Sequence, residues 1–199
     1  MLQYVRPAIV MLVLFTILTG LVYPLAMTGV AQILLPRQAN GSLILRDGVV
    51  IGSSLVGQNF ASAKYFHPRP SATSDTDPND SSKMIDAPYN AANSSGSNLG
   101  PTSQKLIDRV KARIADWRKD GGAQTVPADA VTTSASGLDP DVSPANALAQ
   151  AASVAKARGL DEGKVRDLVA GAVQKPALGF LGEPRVNILQ LNMALDQLK

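Results

Sequence analysis

From Ala8 to Leu35 the chain reads AIVMLVLFTILTGLVYPLAMTGVAQILL, with no charged residue. As a helix these about 28 residues rise roughly 42 Å at ~1.5 Å per residue, more than the ~30 Å of bilayer hydrocarbon. The run can therefore cross a membrane with some tilt. An export signal has an apolar stretch of only about 7–15 residues before a small-residue cleavage site. Gly29-Val30-Ala31 would serve as such a site, but the run is too long, so it reads as an anchor that stays. Pro24 offers no N–H to the carbonyl four residues back and Tyr23 carries a phenol, and lipid supplies a partner to neither group, which turns that face toward other protein. Thr16 and Gly20 add a small-residue spacing that permits close helix approach. Thr16, Gly20, Tyr23 and Pro24 are thus candidate partner contacts within the span.

The anchor and its short N-terminal tail occupy residues 1–36, and residues 37–199 have the length of one ordinary domain. The 45% apolar content is inflated by the anchor. The remainder of the chain is rich in Ser, Asn, Gly and Ala, so its core should be modest. The 19 basic and 16 acidic side chains are spread without a block of like charge, which gives no footprint for nucleic acid. The absence of cysteine excludes disulfides, thiolate metal sites and a cysteine nucleophile. It also suits a domain outside the cytoplasm. Arg6 and the free amine on one side of the span face Arg37 and Arg46 on the other, so the positive charge divides evenly. The orientation adopted has the N-terminus inside and the soluble domain outside.

The expected fold class is α+β, a single transmembrane helix followed by one small mixed domain with a long irregular loop. GSLILRDGVVIGSSLVG reads as two β-rich runs about Asp47-Gly48, a pair suited to the positive φ angles of a tight hairpin. Residues 64–101 carry many Pro, Ser, Asn and Asp, and regular structure is not expected there. Leu106, Val110, Ile114 and Trp117 recur at helical spacing and share one face, which predicts Trp117 in the core. Ser143 is placed to cap a helix whose first residue is Pro144 and whose stop is Gly159. A shorter helix is expected over Asp161–Val173. The final run, GFLGEPRVNILQLNMALDQLK, leaves strand and helix open.

Several patterns carry possible chemistry. Asp75, Asp77, Asn79 and Asp86 fall at positions one, three, five and twelve of a calcium-loop template. Asp80 stands where that loop needs glycine and Lys83 puts a cation at the ninth position, so a solvated acidic loop is the reading kept and no metal site is assigned. His67, the single histidine, has no G-x-S-x-G nucleophile turn to serve, and reads as a hydrogen-bonded structural or interface residue. Arg69, held extended between two prolines, suits a rigid partner contact with Tyr65 and Phe66 buried beneath it. NSSGSNLGP and SASGLDPDVSP could offer backbone N–H groups to an anion, or simply cap the helices after them. AQAASVAKARGLDEGKVRDLVAGAV is too mixed in charge for a DNA-reading helix pair. A tethered exported solute-binding domain or small enzyme stays open as the alternative to a complex subunit.

Taken in order, YPLAMTGVAQ, QANGSL, GSSLVGQNF, YFHPRPSAT, YNAANSSGSNLGP, VPADAVTTSASGLDPDVSP, VAKARGL and LGEPRVNILQLNMALD resemble the C subunits of the bacterial Kdp-type potassium-transporting P-type ATPase. The resemblance covers nearly the whole chain. It implies a single-pass inner-membrane protein, not itself an enzyme, in a complex with a channel-like potassium-binding subunit and a P-type ATPase subunit, in contact with membrane lipid. It further implies a catalytic chaperone that raises the ATPase subunit's affinity for ATP. The nucleotide-related region would be Ser134 to Gln150, with Ser136, Gly137, Asp139, Ser143 and Gln150 as the nucleotide-contacting residues. SASGLDP there is similar to the signature loop of ABC transporters. An outside head would instead use Asp75, Asp77 or Asp80 to attract cations, and reach ATP only by coupling through other subunits.

Overall fold

The computed structural model describes residues 2–119, 121 and 124–198. The chain divides into two compact units, Met1–Ser53 and Ser54–Lys199.

In the first unit the apolar run is one continuous helical rod, Val5–Leu34, none of it buried. It is built of α1 (Val5–Ile17), a π turn (Leu18–Val22) and α2 (Tyr23–Leu34). The π turn has a cause in the sequence. Pro24 cannot donate to the carbonyl of Gly20 four residues back, and its ring crowds that carbonyl. Widening the turn relieves the clash, and Tyr23 N–H bonds instead to the Leu18 carbonyl five residues back. Thr19 Oγ1 donates to the Phe15 carbonyl at 2.6 Å, so this hydroxyl is satisfied inside its own helix. After the short α3 (Pro36–Ala39), β1 (Leu43–Arg46) and β2 (Val49–Ser53) pair antiparallel. Asp47 and Gly48 at φ 52° and 79° make the expected tight hairpin turn.

The second unit is an α+β head. β5 (Asp141–Val142), β7 (Arg185–Asn187) and β6 (Val173–Gln174) form an antiparallel sheet in the order β5-β7-β6. Around it lie α6 (Pro144–Arg158), α7 (Glu162–Ala172) and α8 (Ile188–Gln197), and the short α5 (Ala128–Val131) precedes β5 in the chain. The core is small and aliphatic: Val154, Val165, Val169, Val186, Ile188, Leu191 and Leu195, closed by Phe66 from the long loop. Alanines at 147, 151 and 155 let α6 sit close to its neighbours.

Local chemistry sets the helix ends. Ser143 accepts from Asn146 N–H to start α6. Gly159 at φ 68° ends it, with Leu160 N–H reaching the Ala155 carbonyl. Asp161 and Asn187 cap α7 and α8 in the same way. The ambiguous final run thus resolves into a short strand and then a helix, because Asn187 stops the one and starts the other.

Two expectations are corrected. Within 64–101, β3 (Ser74–Asp77) and β4 (Asp80–Asp86) form an antiparallel hairpin. Asp77-Pro78-Asn79-Asp80 supplies its turn, and Asp77 Oδ1 accepts from Asn79 N–H at 2.8 Å. The prolines punctuate here without abolishing pairing. The rest of that segment is irregular. α4 (Gln104–Lys119) forms, with Leu106, Val110, Ile114 and Trp117 on one face as the spacing predicts, but none of its residues is buried. Trp117 is half-buried and lies outside the core.

Candidate functional site

The loop from Lys64 to Thr73 has no regular structure, yet its backbone is tied at successive residues by side chains from distant helices. Arg158 at the end of α6 donates to the Lys64 carbonyl at 2.6 Å, lies 4.7 Å from the Tyr65 ring centroid and ion-pairs with Asp196 at 2.7 Å. Asn192 of α8 accepts from Phe66 N–H at 2.9 Å and returns its amide to the Phe66 carbonyl at 3.0 Å. Gln150 of α6 does the same for His67, at 2.7 Å and 3.1 Å. Each amide side chain thus stands in for one residue of a missing strand. Both are buried, where an unmade bond costs about 1–3 kcal/mol, so the arrangement fixes the loop.

Beyond the clamp, Arg69 turns inward. Its Nη1 is 3.0 Å from Asp139 Oδ2, its Nη2 donates to the Thr133 carbonyl, and its Nε is buried with no partner. Tyr89 completes the corner, donating its hydroxyl to the Arg69 carbonyl at 2.7 Å. Burial, and then the charge of Asp139, hold this phenol above its ordinary range, against the opposing effect of Arg69. Gly57 packs under the same corner, where a Cβ would come within 2.5 Å of the Asp139 carbonyl oxygen and the Tyr89 ring.

The structure brings two groups of sequence-predicted residues together. Arg69, expected at a partner surface, is joined to Asp139, expected at a nucleotide. His67 is joined to Gln150. Gly137, at φ 69°, is wedged against Thr73 and the Ser95 carbonyl, a place no side chain fits. Ser136 is exposed and its Oγ accepts from Leu138 N–H. Ser143 receives its hydrogen bonds at the start of α6 alongside Asp129, whose carboxylate takes Ser143 N–H at 2.7 Å, Ser143 Oγ at 3.0 Å and the Asn146 amide at 3.2 Å. The helix N-terminus that could attract a phosphate therefore already holds a carboxylate of the chain itself. Asp75, Asp77 and Asp80 belong to the β3–β4 hairpin. Asp80 is held below the usual carboxylate range by its contacts to Lys83 and Ser82.

Sequence reasoning missed an open cleft of about 390 Å³ beside the clamped loop. His67, Arg69 and Tyr89 line it together with Arg109 and Arg113 of α4, and exposed Asp86 is on its lining too. Arg113 donates to the Val131 carbonyl at 3.1 Å, and its pKa is lowered by partial burial and then by the like charge of Arg109. The four-residue spacing of these arginines was a visible signal, but nothing local tied it to Arg69. A second missed feature is the turn at 177–181, closed by paired Ala177 and Leu181, which leaves Leu178, Phe180 and Leu181 82%, 74% and 53% exposed.

A rod long and apolar enough to cross a membrane and an α+β head define a class: a membrane-associated protein with a small folded head. The chain belongs to the KdpC family, described as K+-transporting ATPase, c chain, which matches residues 5–197. A protein of Rhodopseudomonas palustris strain BisB18 named Potassium-transporting ATPase KdpC subunit is 59% identical over 199 residues, all of both chains. Proteins of the same name from Methylobacterium nodulans and Bradyrhizobium diazoefficiens are each 60% identical, covering 100% and 99% of this chain and 98% of their own. The chain is accordingly an accessory subunit in potassium uptake.

Proposed function

We propose that this protein is a non-catalytic, single-pass subunit of an ATP-driven potassium uptake complex in the cell inner membrane. Its rod docks against a channel-like potassium-binding subunit and a P-type ATPase subunit, and its head lies outside the cytoplasm. It acts as a catalytic chaperone, raising the affinity of the ATPase subunit for ATP. The observation that carries this reading is the bare rod joined to a family match over residues 5–197. A thirty-residue rod with a π turn just before Pro24 offers a shaped surface to neighbouring helices, with Thr16, Gly20, Tyr23 and Pro24 around the irregularity.

The effect on ATP travels by coupling through the complex, not by contact at Ser136, Gly137, Asp139, Ser143 and Gln150. Support comes from the engagement of Ser143 and Gln150 with Asp129, Asn146 and His67, bonds a nucleotide would have to displace. Four measurements test the proposal. Affinity purification of the tagged chain in mild detergent should recover the other pump subunits, and omission of the chain should weaken ATP dependence of the pump's hydrolysis. Recovery of the chain alone, with hydrolysis indifferent to it, sinks the subunit reading. Any heat of ATP with the full chain should be unchanged by Ser136→Ala, an exposed position off the arginine-lined cleft, and saturable heat that this variant abolishes would restore direct contact. Labelling of a cysteine placed at Ser94 by an impermeant reagent on intact cells decides the side of the head.

A further inference from the structure

We propose that the cleft lined by α4 and the clamped loop is a binding site for a phosphate-class oxyanion, held by Arg109 and Arg113 with Arg69 also on its lining. The inference rests on the guanidinium groups and not on the reading about ATP.

Arg109 and Arg113 are four residues apart on α4, so they neighbour each other on the helix surface, where like charges are destabilising. Among the described residues no carboxylate ion-pairs with either of them, whereas α4's own acidic residues are spent elsewhere: Asp108 accepts from Gln104 at 2.8 Å and Asp116 pairs with Lys119 at 3.4 Å. Both arginines are half-buried, and the pKa of Arg113 is lowered by loss of solvent and by its neighbour, which is the state an arriving anion relieves. Arg69, also on the lining, has its guanidinium neutralised by Asp139, but its Nε–H remains buried without an acceptor. A planar fork of N–H donors suits the oxygens of phosphate better than any other common side-chain arrangement. The volume, about 390 Å³, is in the range of small-ligand sites.

The balance of charge specifies the sign of the ligand. With Arg69 paired to Asp139, the lining keeps Arg109 and Arg113 against the one carboxylate of Asp86. An anion with more than one charged oxygen can engage both arginines. A cation would meet them first.

The test uses the full chain in an uncharged detergent, with inorganic phosphate as the probe at constant ionic strength. Trp117, one turn beyond Arg113 and the single tryptophan, is the fluorescent reporter. The expected result is a saturable change in its emission. Arg109→Gln and Arg113→Gln should each weaken binding about tenfold or more, as loss of a charge-assisted hydrogen bond does. Asp86→Asn should tighten it. Lys111→Gln, an equal change of charge at an exposed position of the same helix, should leave it alone. Arg109 makes no packing contribution to the core, so unchanged thermal midpoints will show that its variant folds. A second arm places the chain in nanodiscs of phosphatidylcholine with and without phosphatidic acid. Response to free phosphate identifies a soluble anion, and response only to phosphatidic acid identifies a lipid headgroup; either supports the site. Absence of response in both arms, or equal behaviour of Arg109→Gln and Lys111→Gln, overturns it.

Discussion

The rod and the clamped loop are opposites. In the rod, Val5–Leu34, backbone hydrogen bonding is met within the helix while every large side chain stands uncovered. In the loop at 64–73 the backbone has no ladder of its own, yet Phe66 is wholly buried and its peptide groups are met by Asn192. Regularity and completeness are therefore separate properties. The regular element is unfinished until something apolar covers it, whereas the irregular one is finished by residues far away in the chain.

The sharpest way to break this contrast is to remove the clamp. Asn192→Ala should destabilise the head by about 3–5 kcal/mol, since it leaves two buried backbone groups of Phe66 unmet and opens a small cavity. Denaturant unfolding of the full chain in detergent, followed by Trp117 emission, measures it. A cost below about 1 kcal/mol would mean that the loop is held by Phe66 packing alone. Gly137→Ala comes next, at about 2–3 kcal/mol. Its Cβ would lie 2.5 Å from Thr73 Cγ2 and 2.7 Å from the Ser95 carbonyl oxygen, and a carbonyl cannot swing aside as a side-chain end can.

The same contrast explains what could be read from the sequence. The rod, the Asp47-Gly48 hairpin and the start and stop of α6 are local signals, each written within a few residues. The clamp is not local. Gln150 reads as one more polar residue on an alanine-rich helix, and its pairing with His67 spans 83 positions. Trp117 shows the converse limit: periodicity gave its face correctly, but a face is not a depth, and α4 carries too few apolar side chains to be drawn into the core. The arginine cleft combines both failings, a visible spacing on α4 and an invisible partner in Arg69. The β3–β4 hairpin was hidden because Asp, Ser and Pro suppress strand expectation while the turn they form promotes pairing.

Exposed apolar surface supplies the third prediction. Phe180→Ser at the tip of the 177–181 turn should change the head's unfolding free energy by less than about 0.5 kcal/mol, because Phe180 is already 74% exposed. It should nevertheless lower recovery of the other pump subunits on affinity purification. Destabilisation comparable with Asn192→Ala would show that this tip, unlike the rod, is finished within the chain.

The smallest effect concerns Asp141, on the strand beside the clamp. Desolvation raises its carboxyl pKa, against the pull of Arg185 at 3.0 Å and the hydrogen bond from Asn187 at 3.2 Å. A raised folded value means that the head binds this proton more tightly than the unfolded chain does. Its contribution to stability is then full below the ordinary carboxylate range and is lost as pH rises through the raised value. Asp141→Asn cannot ionise and can still accept from Asn187, so its thermal midpoint should gain on the parent's as pH rises from acid to neutral. Midpoints of both proteins across that window read the sign directly. A gain that appears instead on acidification would mean that the ion pair with Arg185 outweighs burial, and that this strand, like the loop beside it, is held by charge reaching across the sequence.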